Sequence, residues 1–163
     1  MQKRLFIIRH GKSSWETEVR DMDRPLTERG VRNSYDMAAR LAKADLVPEM
    51  LYSSTGIRAL HTAVIMAREW KLPDDTLLAR ESLYMSGGRE IDDVLAEIPE
   101  NIESVAIYGH NPTFTAYANK YLSTPLDNLP TAGVVVLTFE AESWTTLSDG
   151  KLLEEVVDFP KKK

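Results

Sequence analysis

Two short apolar runs each stop at a histidine, and their form restricts the chain to few architectures. Leu5-Phe6-Ile7-Ile8 leads into Arg9-His10-Gly11-Lys12, and Val105-Ala106-Ile107-Tyr108 leads into Gly109-His110-Asn111-Pro112. A continuous apolar run bounded by glycine or proline is the pattern of a strand buried on both faces, as in a parallel sheet. Parallel neighbours need long crossovers, usually helices. Periodicity and punctuation predict strands over residues 4–9, 49–53, 76–80, 104–108, 134–139 and 152–158, the last at an edge. Between them lie predicted helices over 27–44, 57–71, 89–97 and 112–122, with Ser86-Gly87-Gly88 as a turn. The class is therefore α/β, with helices on both sheet faces. Ligands bind such sheets at the carboxyl ends of the strands. Both histidines are thus expected on the functional rim, one with an arginine directly before it.

A third constellation begins at another strand end, Tyr52-Ser53-Ser54-Thr55-Gly56-Ile57-Arg58-Ala59-Leu60-His61-Thr62-Ala63. Ile57, Leu60, Val64 and Ala67 recur at helical spacing, and Ser54 or Thr55 is the expected N-cap. Arg58 then falls in the first helical turn, where the helix dipole disfavours a cation. An arginine tolerated there points to an anion held by both the side chain and the helix end.

These segments resemble the histidine phosphatase superfamily, also called phosphoglycerate-mutase-like. Arg9-His10-Gly11, Ser53-Ser54…Arg58-Ala59-x-x-Thr62-Ala63 and Gly109-His110-Asn111 carry the resemblance. Asp23-Arg24-Pro25-Leu26-Thr27-Glu28-Arg29-Gly30 is similar to a further stretch of that family. The small size and the Gly-His-Asn-Pro form look most like the SixA-type phosphohistidine phosphatases. The resemblance implies a three-layer αβα sandwich, mostly parallel, with a minimal lid, because residues 81–110 hold only one helix and one strand. It also implies a catalytic core of Arg9, His10, Arg58 and His110. Two arginines offer permanent planar forks for phosphate, and His110, when protonated, adds further contacts. His10 as a neutral imidazole attacks phosphorus, giving a phosphohistidine that water hydrolyses. Gly11, Lys12, Ser13 and Asn111 are the expected substrate-binding neighbours. Glu81 matches the family's acid position, with Asp92 and Asp93 as alternatives.

Three positions depart from the family. Glu16 stands where many relatives have a phosphate-contacting Asn, and a carboxylate would repel phosphate. Lys12 replaces a common Glu and adds positive potential at the rim. His61 replaces a Gln. With His10 and His110 it makes three histidines, enough for zinc, but Arg9 and Arg58 beside them would repel a cation. No metal or other cofactor is expected. Trp15 and Tyr84 are candidates for the pocket wall or for the edge of the core.

Composition bounds the rest. The 163 residues suit one domain spanning 1–163, with Lys161 to Lys163 as a disordered tail. A net charge of -5 argues against general nucleic-acid binding. No apolar run approaches a membrane span. The absence of cysteine excludes disulfides and a thiolate nucleophile and fits a cytoplasmic location. The expected partner is a phosphorylated protein or a small phosphorylated substrate; the oligomeric state is not legible in the sequence.

Overall fold

The computed structural model describes residues 1–16, 18–85 and 87–161. Ser86 of the expected turn, and Lys162 and Lys163 of the expected tail, lie outside the described residues. The strands are β1 (Gln2–Arg9), β2 (Met50–Ser54), β3 (Leu77–Arg80), β4 (Ser104–Gly109), β5 (Val134–Glu140) and β6 (Lys151–Asp158). The helices are α1 (Glu28–Lys43), α2 (Ile57–Glu69), α3 (Gly88–Ala96) and α4 (Thr113–Asn119). Short 3-10 turns cover Asp21–Asp23 and Glu81–Leu83.

One six-stranded sheet runs in the order β3-β2-β4-β1-β5-β6. The first four strands are mutually parallel, and β5 lies antiparallel to both β1 and β6. The reversal has a local cause. After α4 the chain returns to the rim, where the Ala132 N–H bonds the His10 carbonyl and the Arg9 N–H bonds the Gly133 carbonyl. The chain therefore enters β5 from the end at which β1 leaves.

Side chains alternate across the central strands. Phe6, Ile8, Ala106 and Tyr108 pack with α1 and α2 on one face; Leu5, Ile7, Val105 and Ile107 pack with α3 and α4 on the other. Burial on both faces explains the unbroken apolar runs. The three layers, the helices on both faces and the edge position of β6 agree with the sequence reading.

Several boundaries differ. β1 begins at Gln2 and includes a wholly buried Lys3, whose Nζ donates to the carbonyls of Glu100 and Ile102. Hydrophobicity alone hides such a residue. The N-cap of α2 is Gly56, with no capping side chain. The Ser54 hydroxyl instead accepts from the Gly56 N–H. α4 is shorter than expected and has Pro112 at its N-cap.

The start of α1 is tied to the loop after β1. Thr27 caps the helix, its hydroxyl accepting from the Gly30 N–H at 3.0 Å, and its own N–H donates to the Lys12 carbonyl at 2.8 Å. A Cβ on Gly30 would stand 2.2 Å from that Lys12 oxygen, a backbone atom with little room to retreat. Gly30→Ala is therefore expected to destabilise the fold by about 3 kcal/mol, measured by urea unfolding. Unchanged stability would contradict this close approach.

Candidate active site

β1 and β4 pair in parallel with Arg9 opposite Gly109, so the residues that follow each strand emerge together. The rings of His10 and His110 lie 5.3 Å apart between centroids. Arg58 enters from the first turn of α2. A cavity of about 240 Å³ opens between them, lined among others by Arg9, His10, Arg58, His110 and, toward its mouth, Lys12 and Trp15. A larger groove of about 690 Å³ runs beside α1 past Arg29, Arg32 and Arg40, with no histidine in its lining.

His10 is 7% exposed. Its Nδ1 lies 2.7 Å from the Gly11 carbonyl. A carbonyl only accepts, so Nδ1 carries the proton and Nε2 is the accepting nitrogen. The Arg58 Nε approaches that Nε2 at 3.4 Å. Burial pushes the imidazole down to about 3, with His110, Arg58 and Arg9 adding to the shift. Backbone bonds lock the residue on both sides: its N–H donates to Gly109 and its carbonyl accepts from Ala132. The next N–H, of Gly11, donates to the Thr62 hydroxyl, which accounts for Thr62 within the motif.

His110 is likewise shifted toward its neutral form in the ligand-free pocket. Burial, then Arg58, lowers it to about 4. Its Nε2 shares a 2.7 Å hydrogen bond with the Ser54 hydroxyl, while Nδ1 is buried and unpartnered among the described residues. The Arg9 Nε is likewise buried without a partner there, although its Nη1 donates to the Leu129 carbonyl at 2.9 Å. Orphaned buried donors are rare and call for an explanation.

A carboxylate absent from the sequence expectations organises the arginines. Asp21 accepts from Tyr84 Oη at 2.6 Å, Arg58 Nη2 at 3.0 Å and Arg24 Nη1 at 3.1 Å, and its carbonyl accepts from Arg58 Nη1 at 2.7 Å. The Tyr84 hydroxyl, with the two guanidiniums, holds the Asp21 carboxyl well below the usual range. Arg24 is 7% exposed and lines the pocket as a third guanidinium, its Nη2 donating to Ser13 Oγ at 2.6 Å. Arg24 stands in the Asp23-Arg24-Pro25 stretch, and its partner Asp21 lies three positions earlier, just before that stretch. Tyr84 reaches the site by setting its ring edge against His110 at 5.4 Å.

Other expected residues fare unequally. Lys12 and Ser13 line the pocket, whereas Gly11 is outside the lining and meets His10 through its carbonyl. Asn111 lines it, but its amide nitrogen donates to Asn128 and Leu129 and its oxygen accepts from Thr115, so its polar atoms brace the loop. Glu81 is exposed and outside the pocket lining, a correction to its expected place as the acid. β3 is the outer strand, three places from β1, hence about 14 Å away at ordinary strand spacing. Asp92 accepts from the Tyr117 hydroxyl and Asp93 is exposed. His61 and Glu16 are exposed and outside the lining. Among the described residues no cluster of three or more His, Cys, Asp or Glu is placed to hold a metal ion.

The depressed histidines have a measurable consequence. Unfolded imidazoles take up protons near pH 6.5, whereas His10 and His110 do so only near 3 and 4. Their neutral forms favour the fold: this stability is fully present above about pH 6.5 and is lost as pH falls through that window toward 4 and below. NMR titration of the phosphate-free protein should find both rings neutral at pH 5.5. Protonation of His10 near pH 6.5 would contradict the burial argument.

Residues 5–83 match the family model described as histidine phosphatase superfamily (branch 1). The fold resembles SixA from Nakamurella multipartitia, with 24% identity, 98% of this chain and 97% of that chain covered, and a TM-score of 0.82. It also resembles the protein histidine phosphatase SixA complexed with tungstate, at 23% identity, 93% and 95% coverage and a TM-score of 0.73. Mycobacterial glucosyl-3-phosphoglycerate phosphatase Rv2419c with inorganic phosphate matches at 17% identity, 96% and 95% coverage and a TM-score of 0.66. At these identities the structural likeness is one of fold, and it extends past the matched span to the strand that carries His110. The family-model match over residues 5–83, together with the motifs at Arg9, His10 and Arg58, makes the chain similar to the histidine phosphatase superfamily.

Proposed function

We propose that the chain is a metal-independent phosphatase that works through a phosphohistidine on His10 and removes phosphate from protein phosphohistidine. The observation that carries this reading is the state of His10: buried, neutral, with Nδ1 bound to the Gly11 carbonyl and Nε2 turned toward Arg58 in an arginine-lined pocket. A neutral imidazole is a nucleophile, and the surrounding guanidiniums spread over the charge of the transferring phosphoryl group. Arg9, Arg24 and Arg58 supply those forks, and the orphaned His110 Nδ1 and Arg9 Nε offer further contacts.

In the first step Nε2 forms a bond to phosphorus as the bond from phosphorus to the leaving nitrogen breaks. In the second, water bonds to phosphorus and the bond to Nε2 breaks, releasing phosphate and restoring His10. The leaving group decides between substrates. An alkoxide needs a proton as it departs. A phosphorylated imidazole protonated on its other nitrogen departs as neutral imidazole without one. Among the described residues the pocket's lining includes no carboxylate, and Asp21, bonded to Arg58 and Arg24, is held ionised by its partners. A cavity of about 240 Å³ also encloses little beyond a phosphoryl group. α3 is packed into the core through Ile91, Val94 and Leu95 and forms no lid. These features favour a side chain on a protein surface over an enclosed metabolite. The cysteine-free composition suits the reducing cytoplasm.

His10→Ala should abolish turnover while leaving phosphate binding largely intact; Arg58→Ala should weaken both. Activity should survive EDTA. A panel of phosphohistidine proteins and small phosphate monoesters should give the higher kcat/KM to the former. Substantial activity in His10→Ala, or rates restored only by added metal, would overturn the mechanism. Preference for metabolites would overturn the substrate.

A further inference from the structure

Trp15 is 76% exposed, yet it lines the catalytic pocket. An exposed indole in that position is held by its neighbour. The Arg24 guanidinium carbon lies over the indole ring, 3.2 Å from its centroid. Arg24 is itself fixed, 7% exposed, with Nε donating to the Ser14 carbonyl, Nη1 to Asp21 and Nη2 to Ser13. The Ser14 N–H in turn donates to the Pro25 carbonyl, so the segment bearing Trp15 is stitched at both ends of the contact. Among the described residues one face of the indole is covered by the Arg24 cation, and the residue remains 76% exposed.

The direction of the reaction gives that exposed ring a use. His10 lies on the pocket floor, and a leaving group must depart opposite the attacking Nε2. His10 is buried and Trp15 is exposed in the lining of the same pocket, so a leaving group directed out of the pocket has Trp15 at hand. A planar ring leaving the phosphoryl group there meets a preorganised aromatic surface; an aliphatic group has no flat face to offer it.

We propose that Trp15 is the leaving-group platform, a specificity-determining residue that selects substrates whose leaving group is a planar aromatic ring. This rests on the phosphatase reading above, with imidazole as the natural ring and aryl groups sharing its chemistry.

The test compares two substrates with the same scissile bond, phosphoimidazole and phosphoramidate, with an aryl phosphate as third arm. Trp15→Ala should lower kcat/KM for the two ring substrates about threefold to tenfold. It should change phosphoramidate less than twofold and leave inhibition by inorganic phosphate unmoved. Trp15→Phe should recover most of the loss, and Trp15→Leu should not. Calorimetric titration with phenylphosphonate and methylphosphonate makes the same comparison without turnover: Trp15→Ala should weaken only the former. Equal losses on all substrates, or weakened phosphate inhibition, would mean that Trp15 acts through Arg24 and would overturn the platform. So would no loss at all. If the wild type spares phosphoimidazole while aryl selectivity still depends on Trp15, the phosphohistidine reading falls and the platform stands.

Discussion

Parallel pairing of β1 with β4 is the constraint on which the site depends. Its register sets Arg9 beside Gly109, and the two histidines one step beyond are thereby neighbours. Nothing flexible intervenes. The strands are buried on both faces, and the His10 backbone is bonded to Gly109 and Ala132. A one-residue slip would exchange the two faces of a strand and drive its core residues out of register with both helical layers. The cost of such a slip, spread over side chains such as Phe6, Ile7, Val105 and Ile107, runs to roughly 1.5–3 kcal/mol for each one exposed. The hydrophobic core therefore enforces the geometry of a polar site in which it takes no direct part.

Around that pair the chain gathers like charges, and the balance among them determines the chemistry. Three guanidiniums and Lys12 border a cavity large enough for a phosphoryl group. Burial and positive potential act in the same direction on His10, keeping it unprotonated. Asp21 makes the crowding tolerable: its carboxylate and carbonyl hold the outer edge of Arg58, and its other oxygen holds Arg24. The inner edge of Arg58 is left facing His10. Substrate phosphate would supply the missing negative charge, which makes the unliganded pocket an electrostatically incomplete structure poised for an anion.

The sequence disclosed the parts of this arrangement that depend on regular structure. Unbroken apolar runs ending in His10 and His110 revealed buried parallel strands, and helical spacing after Ser54 revealed where Arg58 sits. What escaped lies in the irregular segment between β1 and α1. Asp21 and Arg24 are joined through side-chain geometry in a 3-10 turn, which has no periodicity to betray it. Lys3 escaped for a related reason, since two backbone carbonyls satisfy a charge that looks surface-bound by residue type. Glu81 misled because position after a strand indicates the rim but not which strand of the sheet; β3 proved to be the outer one. The Asn111 amide was legible as a rim residue, but its consumption by Asn128, Leu129 and Thr115 rests on contacts far along the chain.

The tautomer of His10 is where fold and chemistry meet. Because Nδ1 is committed to the Gly11 carbonyl, only Nε2 can form the bond to phosphorus. Rapid quenching in base during turnover, followed by peptide mapping and phosphorus NMR, tests this directly. The account predicts a base-stable, acid-labile phosphoryl group on His10, attached at Nε2. Phosphate at Nδ1, on His110, or on no residue under conditions of full activity would contradict it.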